Sequence, residues 1–432
     1  MQTISTASMA HFLSTPNISR DKNAIIISRY EIKTTESKIK TIRRNTIRIK
    51  MQDITTSKDL TAKSSTKELK IFVSALEPSS NLHLRNLAKV LPESCTLIGV
   101  CESEIGRQVL SPSEFAIMGF SDVAKKILFF KEAMQILSEA ALTCDKILLM
   151  DSSSFHLRLA KKIREKNPNI PIMYYILPQV WAWKEWRAKE IERLFDKLAC
   201  IWPFELHYYE KKARYVGHPL LDIYTESKQF YSKDSNIFVF MPGSRKSEIK
   251  KLMNDYRILA KKLLEKHENA ILRLIIPEKF RDTKMMEIYG DTDMFHIVYN
   301  TQEGLSNASF AFVCAGTATL EASLMQIPFV LVYRAKWIDY FIARMFVKLN
   351  FVGLANIIYQ AMLKENGKEI EKAGLGDDYL HEELLQNDCN AKNMLKAYEN
   401  FEYERYFEGT STLRKYLKHG SKDNVAKWLL EP

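Results

Sequence analysis

A chain of 432 residues with 46% hydrophobic and 27% charged residues has room for two or three domains and is too apolar to be disordered overall. No run of 18 or more apolar residues occurs, which argues against a spanning helix; the six scattered cysteines contain no CxxC pair, so neither a zinc nor a thiol-redox motif is signalled, and reduced cysteines in a cytoplasmic protein are the simplest reading. The net charge of +11 would suggest nucleic acid, but residues 1–67 hold 13 Lys and Arg against 5 Asp and Glu, the remainder is nearly balanced, and no nucleic-acid motif accompanies the charge.

Residues 1–67 are rich in Ser, Thr, Lys and Ile and lack sustained periodicity. They read as a disordered basic extension; a membrane-surface arm or a transit-like peptide are the alternatives, and a translation start at Met51 would account for the first fifty residues. From Leu69 the pattern changes. Strands are expected at Lys70–Ala75, Thr96–Val100, Lys146–Met150, Ile170–Ile176 and Lys197–Ile201. Helical stretches at Asn81–Leu91, Ala124–Leu142, Phe155–Glu165 and Lys184–Leu194 alternate with them. This is the βα rhythm of a parallel sheet covered on both faces.

A polar stretch near 220–235 follows Gly217-His218-Pro219, and then the alternation restarts. Strands are expected at Ile237–Met241, Ala270–Ile276, Phe295–Tyr299, Phe310–Cys314 and Phe329–Tyr333, with helices at Ser247–Lys266 and Ala318–Met325. The expected fold is α/β: two doubly wound, Rossmann-like domains, 68–222 and 223–432, facing across a cleft, with the last helices returning to the first domain. In such sheets ligands bind beyond the carboxyl ends of the strands.

Four strand-end loops are candidate sites. In Pro242-Gly243-Ser244-Arg245, Gly243 permits a tight turn, Ser244 can cap the next helix, and Arg245 offers a guanidinium fork to phosphate oxygens. An ordinary turn with a solvated arginine is the competing reading. In Ala315-Gly316-Thr317-Ala318-Thr319-Leu320-Glu321 a second helix start carries Glu321 one turn below Thr317, where it could accept hydrogen bonds from both ribose hydroxyls. Two such loops in one domain point to a nucleoside diphosphate. Neither is followed by GK[ST], and no GxGxxG follows the first strand, so Walker and dinucleotide sites are disfavoured. Asp151 ends its strand ahead of Ser152, Ser153 and Ser154, and Glu77 stands in the same situation after the first strand; each is either a helix cap or an acid–base group. Trp181 and Trp183 in Leu177–Trp183 form either a packed cluster or a wall for a sugar or acyl chain. Two basic apolar stripes, Ser121–Leu137 and Trp337–Leu349, suit core packing or an interfacial helix; core is preferred for the second and the first stays open.

At this point the residues resemble a known family. Met118–Val123, Pro178–Trp183, Pro203-Phe204-Glu205, Tyr215–Pro219, Pro242–Arg245, Gly316–Glu321, Val352–Asn356 and Glu383–Gln386 are similar, in order, to strings of the lipid-A-disaccharide synthases, bacterial glycosyltransferases of the GT-B fold. The similarity runs from about Leu69 to Leu430. It implies transfer of a diacylated glucosamine from its UDP derivative to the 6-hydroxyl of diacylglucosamine 1-phosphate. The product is the β-1,6 disaccharide, formed with inversion and without metal or other cofactor. It implies Asp151 as base, with Glu77 beside it among the catalytic candidates. Gly243, Ser244, Arg245, Gly316, Thr317, Glu321 and Asn356 fall on the UDP side. Met118, Val123, Ile127 and Phe130 fall in the acyl or membrane region, which turns that stripe lipid-facing. The implied setting is the inner face of the bacterial inner membrane, peripheral and cytoplasmic, with no nucleic acid and with oligomer formation left open. Where the family has Gly-Glu-x-Ser-Gly-Asp, this chain has Leu76-Glu77-Pro78-Ser79-Ser80-Asn81; the loop is expected to be stiffer, and the lost Asp's role cannot be carried over. Two alternatives stay open: a GT-B enzyme acting on another UDP-sugar, and, through that departure, a catalytically weakened nucleotide-binding homologue at the membrane.

Overall fold

The computed structural model describes residues 68–118, 123–183, 185–225, 236–334, 351–365 and 379–432, with the backbone alone at 116–118, 123–126 and 183. The basic segment 1–67 and the Trp337–Leu349 stripe lie outside them. Thirteen strands are present among the described residues: β1 (Leu69–Ala75), β2 (Cys95–Val100), β3 (Arg107–Leu110), β4 (Lys146–Met150), β5 (Ile172–Tyr175), β6 (Lys197–Cys200), β7 (Ala213–Tyr215), β8 (Ile237–Met241), β9 (Ile271–Ile275), β10 (His296–Val298), β11 (Phe310–Cys314), β12 (Phe329–Tyr333) and β13 (Glu383–Leu385). They form two sheets, ordered β3-β2-β1-β4-β5-β6-β7 and β10-β9-β8-β11-β12-β13. The pairings of β1 with β2 and β4, and of β8 with β9 and β11, are parallel. Each sheet therefore reverses direction at its founding strand, between β1 and β4 and between β8 and β11. That is where a doubly wound sheet opens a crevice at its carboxyl edge.

The strands expected from the sequence are all present; β3, β7 and β13 were not expected. They are short end strands of the sheet order or the pair to one, of three or four residues, with too little periodicity to register. The central strands are apolar on both faces because helices cover both: Ile147 to Met150 and Ile172 to Tyr175 are all buried. The helix Lys246–Lys266 buries Ile249, Leu252, Met253, Tyr256, Leu259, Ala260 and Leu263 along one stripe. It packs in a core with Phe240, Phe310 and Phe312. Three further helices, Ala391–Glu399, Tyr403–Leu417 and Ser421–Leu430, close the chain.

Among the described residues, compactness groups those up to Pro178 with Arg193–Leu198 and Leu429–Pro432, and Gln179–Glu192 with Ala199–Trp428. Within the first unit, Lys146 Nζ donates to the carbonyls of Leu429, Leu430 and Glu431 at 2.9, 3.2 and 2.6 Å, and Lys197 Nζ donates to Glu431 at 2.8 Å. Cations at a helix's last carbonyls are electrostatically favoured.

Candidate functional site

The UDP-side candidates gather at the second switch point. β8 and β11 are in register from Phe310 opposite Phe238 to Val313 opposite Met241, so the loops after them are neighbours. Gly243 has φ 91°, and a Cβ there would lie 2.7 Å from Glu248 Oε2 and 3.1 Å from Cys314 Sγ. Only glycine fits. The cap of the following helix differs from expectation. Ser244 is exposed, Arg245 is the N-cap residue, and Glu248 does the capping. Its carboxylate accepts Arg245 N–H at 3.3 Å and Arg245 Nη1 at 2.6 Å. Glu248's side chain is 8% exposed against 50% for Arg245, so a buried acid aims a half-exposed guanidinium. The glutamate at the third helical position was the available signal.

The neighbouring loop carries Gly316 with φ 147° and nothing within 4 Å of a built Cβ, so the backbone has open space in front of it. Thr317 opens the helix Thr317–Leu324, and Thr319 Oγ1 donates to Gly316 O at 2.8 Å. Burial pushes the Glu321 carboxyl up, against a hydrogen bond from the Tyr224 hydroxyl that pulls it down. Asn356 is fully buried. Its Nδ2 donates to His381 O and Glu383 Oε1, both at 2.9 Å, and its Oδ1 accepts Leu380 N–H at 2.8 Å and His381 N–H at 3.3 Å. Glu383 in turn accepts Val352 N–H at 2.8 Å and Gly353 N–H at 2.9 Å, at the head of the helix Leu354–Glu365. The amide of Asn356 is committed to this network, so it shapes the loop after residue 351 rather than reaching outward.

The catalytic candidates gather at the first switch point. β1 and β4 pair up to Ala75 opposite Met150, which sets Glu77 and Asp151 at adjacent strand ends. Pro78 starts the helix Pro78–Ala88 and Glu77 is its N-cap residue. The altered loop is well satisfied. Ser80 Oγ donates to Glu77 O at 2.8 Å and accepts Glu77 N–H at 3.1 Å. Asn81, 1% exposed, donates from Nδ2 to Ala75 O at 2.7 Å and Glu77 O at 3.1 Å, and accepts Glu102 N–H at 3.0 Å. An ionised aspartate could not donate to those two carbonyls. Asn81 thus has a structural role of its own. Asp151 and Ser152 have φ of 55° and 44°.

The helix that carries the expected lipid stripe buries one face and exposes another. On the helix Val123–Ala141 the buried line is Phe129, Ala133, Leu137 and Ala140. Ile127 faces outward at 65% exposure. Phe130 is half-buried and packs against Phe115 at 6.1 Å and Phe155 at 5.8 Å between ring centroids. The side chains of Met118 and Val123 lie outside the described residues. Trp181 sits edge-on to Phe204 at 5.3 Å, as in a packed cluster.

A further acid is buried outside the loops read as candidate sites. Glu205, 1% exposed, lies in the 3-10 turn Pro203–Tyr208 and accepts Trp202 N–H at 3.4 Å. Burial pushes its carboxyl up to about 8. Folding therefore binds a proton that the unfolded chain releases near its ordinary 4.5. The stabilising contribution is complete below that value and is lost as pH rises through about 8. His156 and His381 act at the other end: burial lowers them to about 4 and about 3, so stability falls as pH drops below 6.5. The two ranges overlap between 4.5 and 6.5, where the two histidines outweigh the one glutamate, so thermal melts should peak near pH 6.5; Glu205→Gln should flatten the decline above it, at about 2–4 °C per kcal/mol. An unchanged decline would mean Glu205 is ionised when folded.

The chain is similar to known proteins. A family model described as "Lipid-A-disaccharide synthetase" matches residues 71–421. The lipid-A-disaccharide synthase of Helicobacter pylori strain G27 is 49% identical over 360 residues, covering 82% of this chain and 96% of that protein. The enzyme of the same name from Campylobacter jejuni strain RM1221 is 39% identical over 380 residues, covering 83% and 99%. Among solved structures, UDP-GlcNAc 2-epimerase from Neisseria meningitidis bound to UDP-GlcNAc matches with TM-score 0.51 at 11% identity, covering 84% of this chain and 99% of that one. Acinetobacter baumannii MurG matches with TM-score 0.50 at 10% identity and the same coverage. These last two show the fold alone.

Proposed function

The chain belongs to the lipid-A-disaccharide synthase family, glycosyltransferases of the GT-B fold that form the lipid A disaccharide, and from that premise we propose the substrates and residues of the reaction. The donor is UDP-2,3-diacylglucosamine and the acceptor 2,3-diacylglucosamine 1-phosphate. The acceptor 6-hydroxyl displaces UDP from the anomeric carbon on the opposite face, giving the β-1,6-linked disaccharide 1-phosphate by inversion. Residues 68–222 serve the acceptor and lipid, and 223–432 the UDP-sugar.

One observation carries this reading: each sheet presents its candidates at its own switch point. The second supplies what a leaving diphosphate needs, a cation and two helix N-termini, from Arg245 and Gly316–Thr317. Glu321 is suited to the ribose hydroxyls and Glu248 holds Arg245 for the phosphates. The first supplies a carboxylate, Asp151, to take the acceptor's hydroxyl proton, with Glu77 at the adjacent strand end. The satisfied Asn81 loop supports an active enzyme over a weakened homologue. The exposed Ile127, with Lys131 one turn on, supports contact with the cytoplasmic face of the inner membrane. No helix among the described residues is long and apolar enough to cross a membrane.

Purified protein given both acylated substrates should release UDP and form disaccharide; no turnover with this pair, but turnover with another UDP-sugar, would overturn the substrate assignment. Arg245→Ala should weaken UDP binding by roughly 1.5–3 kcal/mol, the range for a charged hydrogen bond. Calorimetry with UDP alone checks this; equal affinity would mean that Arg245 pairs with Glu248 and does not reach the diphosphate.

A further inference from the structure

The turn after β4 carries two consecutive non-glycine residues in the left-handed region, Asp151 and Ser152. Such residues persist only where the surroundings over-determine them. The surroundings here can be named. Asp151 N–H donates to Tyr175 O at 3.1 Å. Asp151 O receives two donors, Tyr174 OH and His156 Nδ1, each at 2.7 Å. A carbonyl can only accept, so Nδ1 carries the imidazole proton. Nε2 is then a bare acceptor, and Ser74 Oγ stands 2.8 Å from it as the donor. Ser74 and His156 are both 0% exposed. Ser74 lies on β1 opposite Leu149 of β4, so the chain Ser74–His156–Asp151 ties the turn to the neighbouring strand.

We propose that His156, oriented by Ser74, is a positioning residue for the reaction: it fixes the Asp151 main chain in its left-handed conformation and thereby aims the Asp151 carboxylate. This rests on Asp151 being the base. A buried His in the first turn of a helix and a Ser in an apolar strand would otherwise be unneeded polar groups in a core. Burial keeps the imidazole neutral, so it acts by hydrogen bonding and not by charge.

The chemistry yields an ordering that volume alone does not. Asparagine places its amide donor where Nδ1 sits and keeps the bond to Asp151 O. Glutamine, nearer to histidine in size, places its amide where Nε2 sits and loses that bond. His156→Asn should keep kcat close to wild type, whereas His156→Gln and His156→Leu should lose roughly 10–100-fold, since a displacement of about 1 Å can lower a rate 100-fold. KM for both substrates and the affinity for UDP should not move. Ser74→Ala, which barely alters volume, should lower kcat in the same direction. Steady-state kinetics beside thermal melts decide it. Glutamine as active as asparagine, or kcat losses that simply follow the melting temperature, would overturn the positioning role. Asp151→Asn measured in parallel separates the two ideas: if it is inactive while His156→Gln is normal, the base stands and the lock falls; if it is active, the base itself falls.

Discussion

Asp151→Asn should lower kcat by roughly 10²–10⁴-fold, the range for losing a general base, while UDP affinity and melting temperature stay unchanged. Asparagine is the sharper choice over alanine for a conformational reason. With φ of 55° this position strains most side chains, but Asp and Asn visit the left-handed region readily. Alanine would add backbone strain to the loss of the carboxylate and blur the two. The main-chain bonds to Tyr175, Tyr174 and His156 do not involve the carboxylate and survive the change. If the variant retains a near-normal rate, the proton goes elsewhere, and Glu77 at the adjacent strand end becomes the candidate to test. Single-turnover kinetics with UDP release as the signal distinguish loss of chemistry from slow product release.

What the sequence made legible here follows from the range of the interactions. The two sheets, their switch points and the loops Gly243–Arg245 and Gly316–Glu321 were readable because a strand, a glycine and an amphipathic helix follow one another within twenty residues. Capping was readable in kind but not in residue: Ser244 is the stronger capping type, yet the helix begins one residue later and Glu248 supplies the carboxylate. Which ring of the Phe129–Phe130 pair faces the core was not readable, because two aromatics in succession on a helix can turn either ring inward; the structure buries Phe129 and leaves Phe130 half-buried. The Ser74–His156–Asp151 chain and the Asn356–Glu383 pair were not readable at all. Their partners lie 82 and 27 residues apart, and no local pattern says which buried polar groups will meet.

The Asn356–Glu383 pair gives the second large effect, Asn356→Asp. The substitution changes an NH2 to an oxygen at a fully buried position, 2.9 Å from Glu383 Oε1. A donor becomes an acceptor facing another acceptor, and His381 O loses its donor as well. Breaking a buried charged network in this way costs about 3–5 kcal/mol, so the melting temperature should fall by roughly 10 °C at about 2–4 °C per kcal/mol. UDP binding should weaken with it, because Glu383 holds the Val352 and Gly353 N–H groups at the helix head. The pH dependence identifies the cause. Burial already pushes Glu383 upward, and a second carboxylate beside it raises the pair further, until one proton is shared. A folded-state value above the unfolded one means stability present at low pH and lost as pH rises. The deficit of the variant relative to wild type should therefore shrink as pH falls through the pair's titration and widen toward neutrality. A deficit that does not change with pH would mean that lost packing, not the paired carboxylates, is responsible.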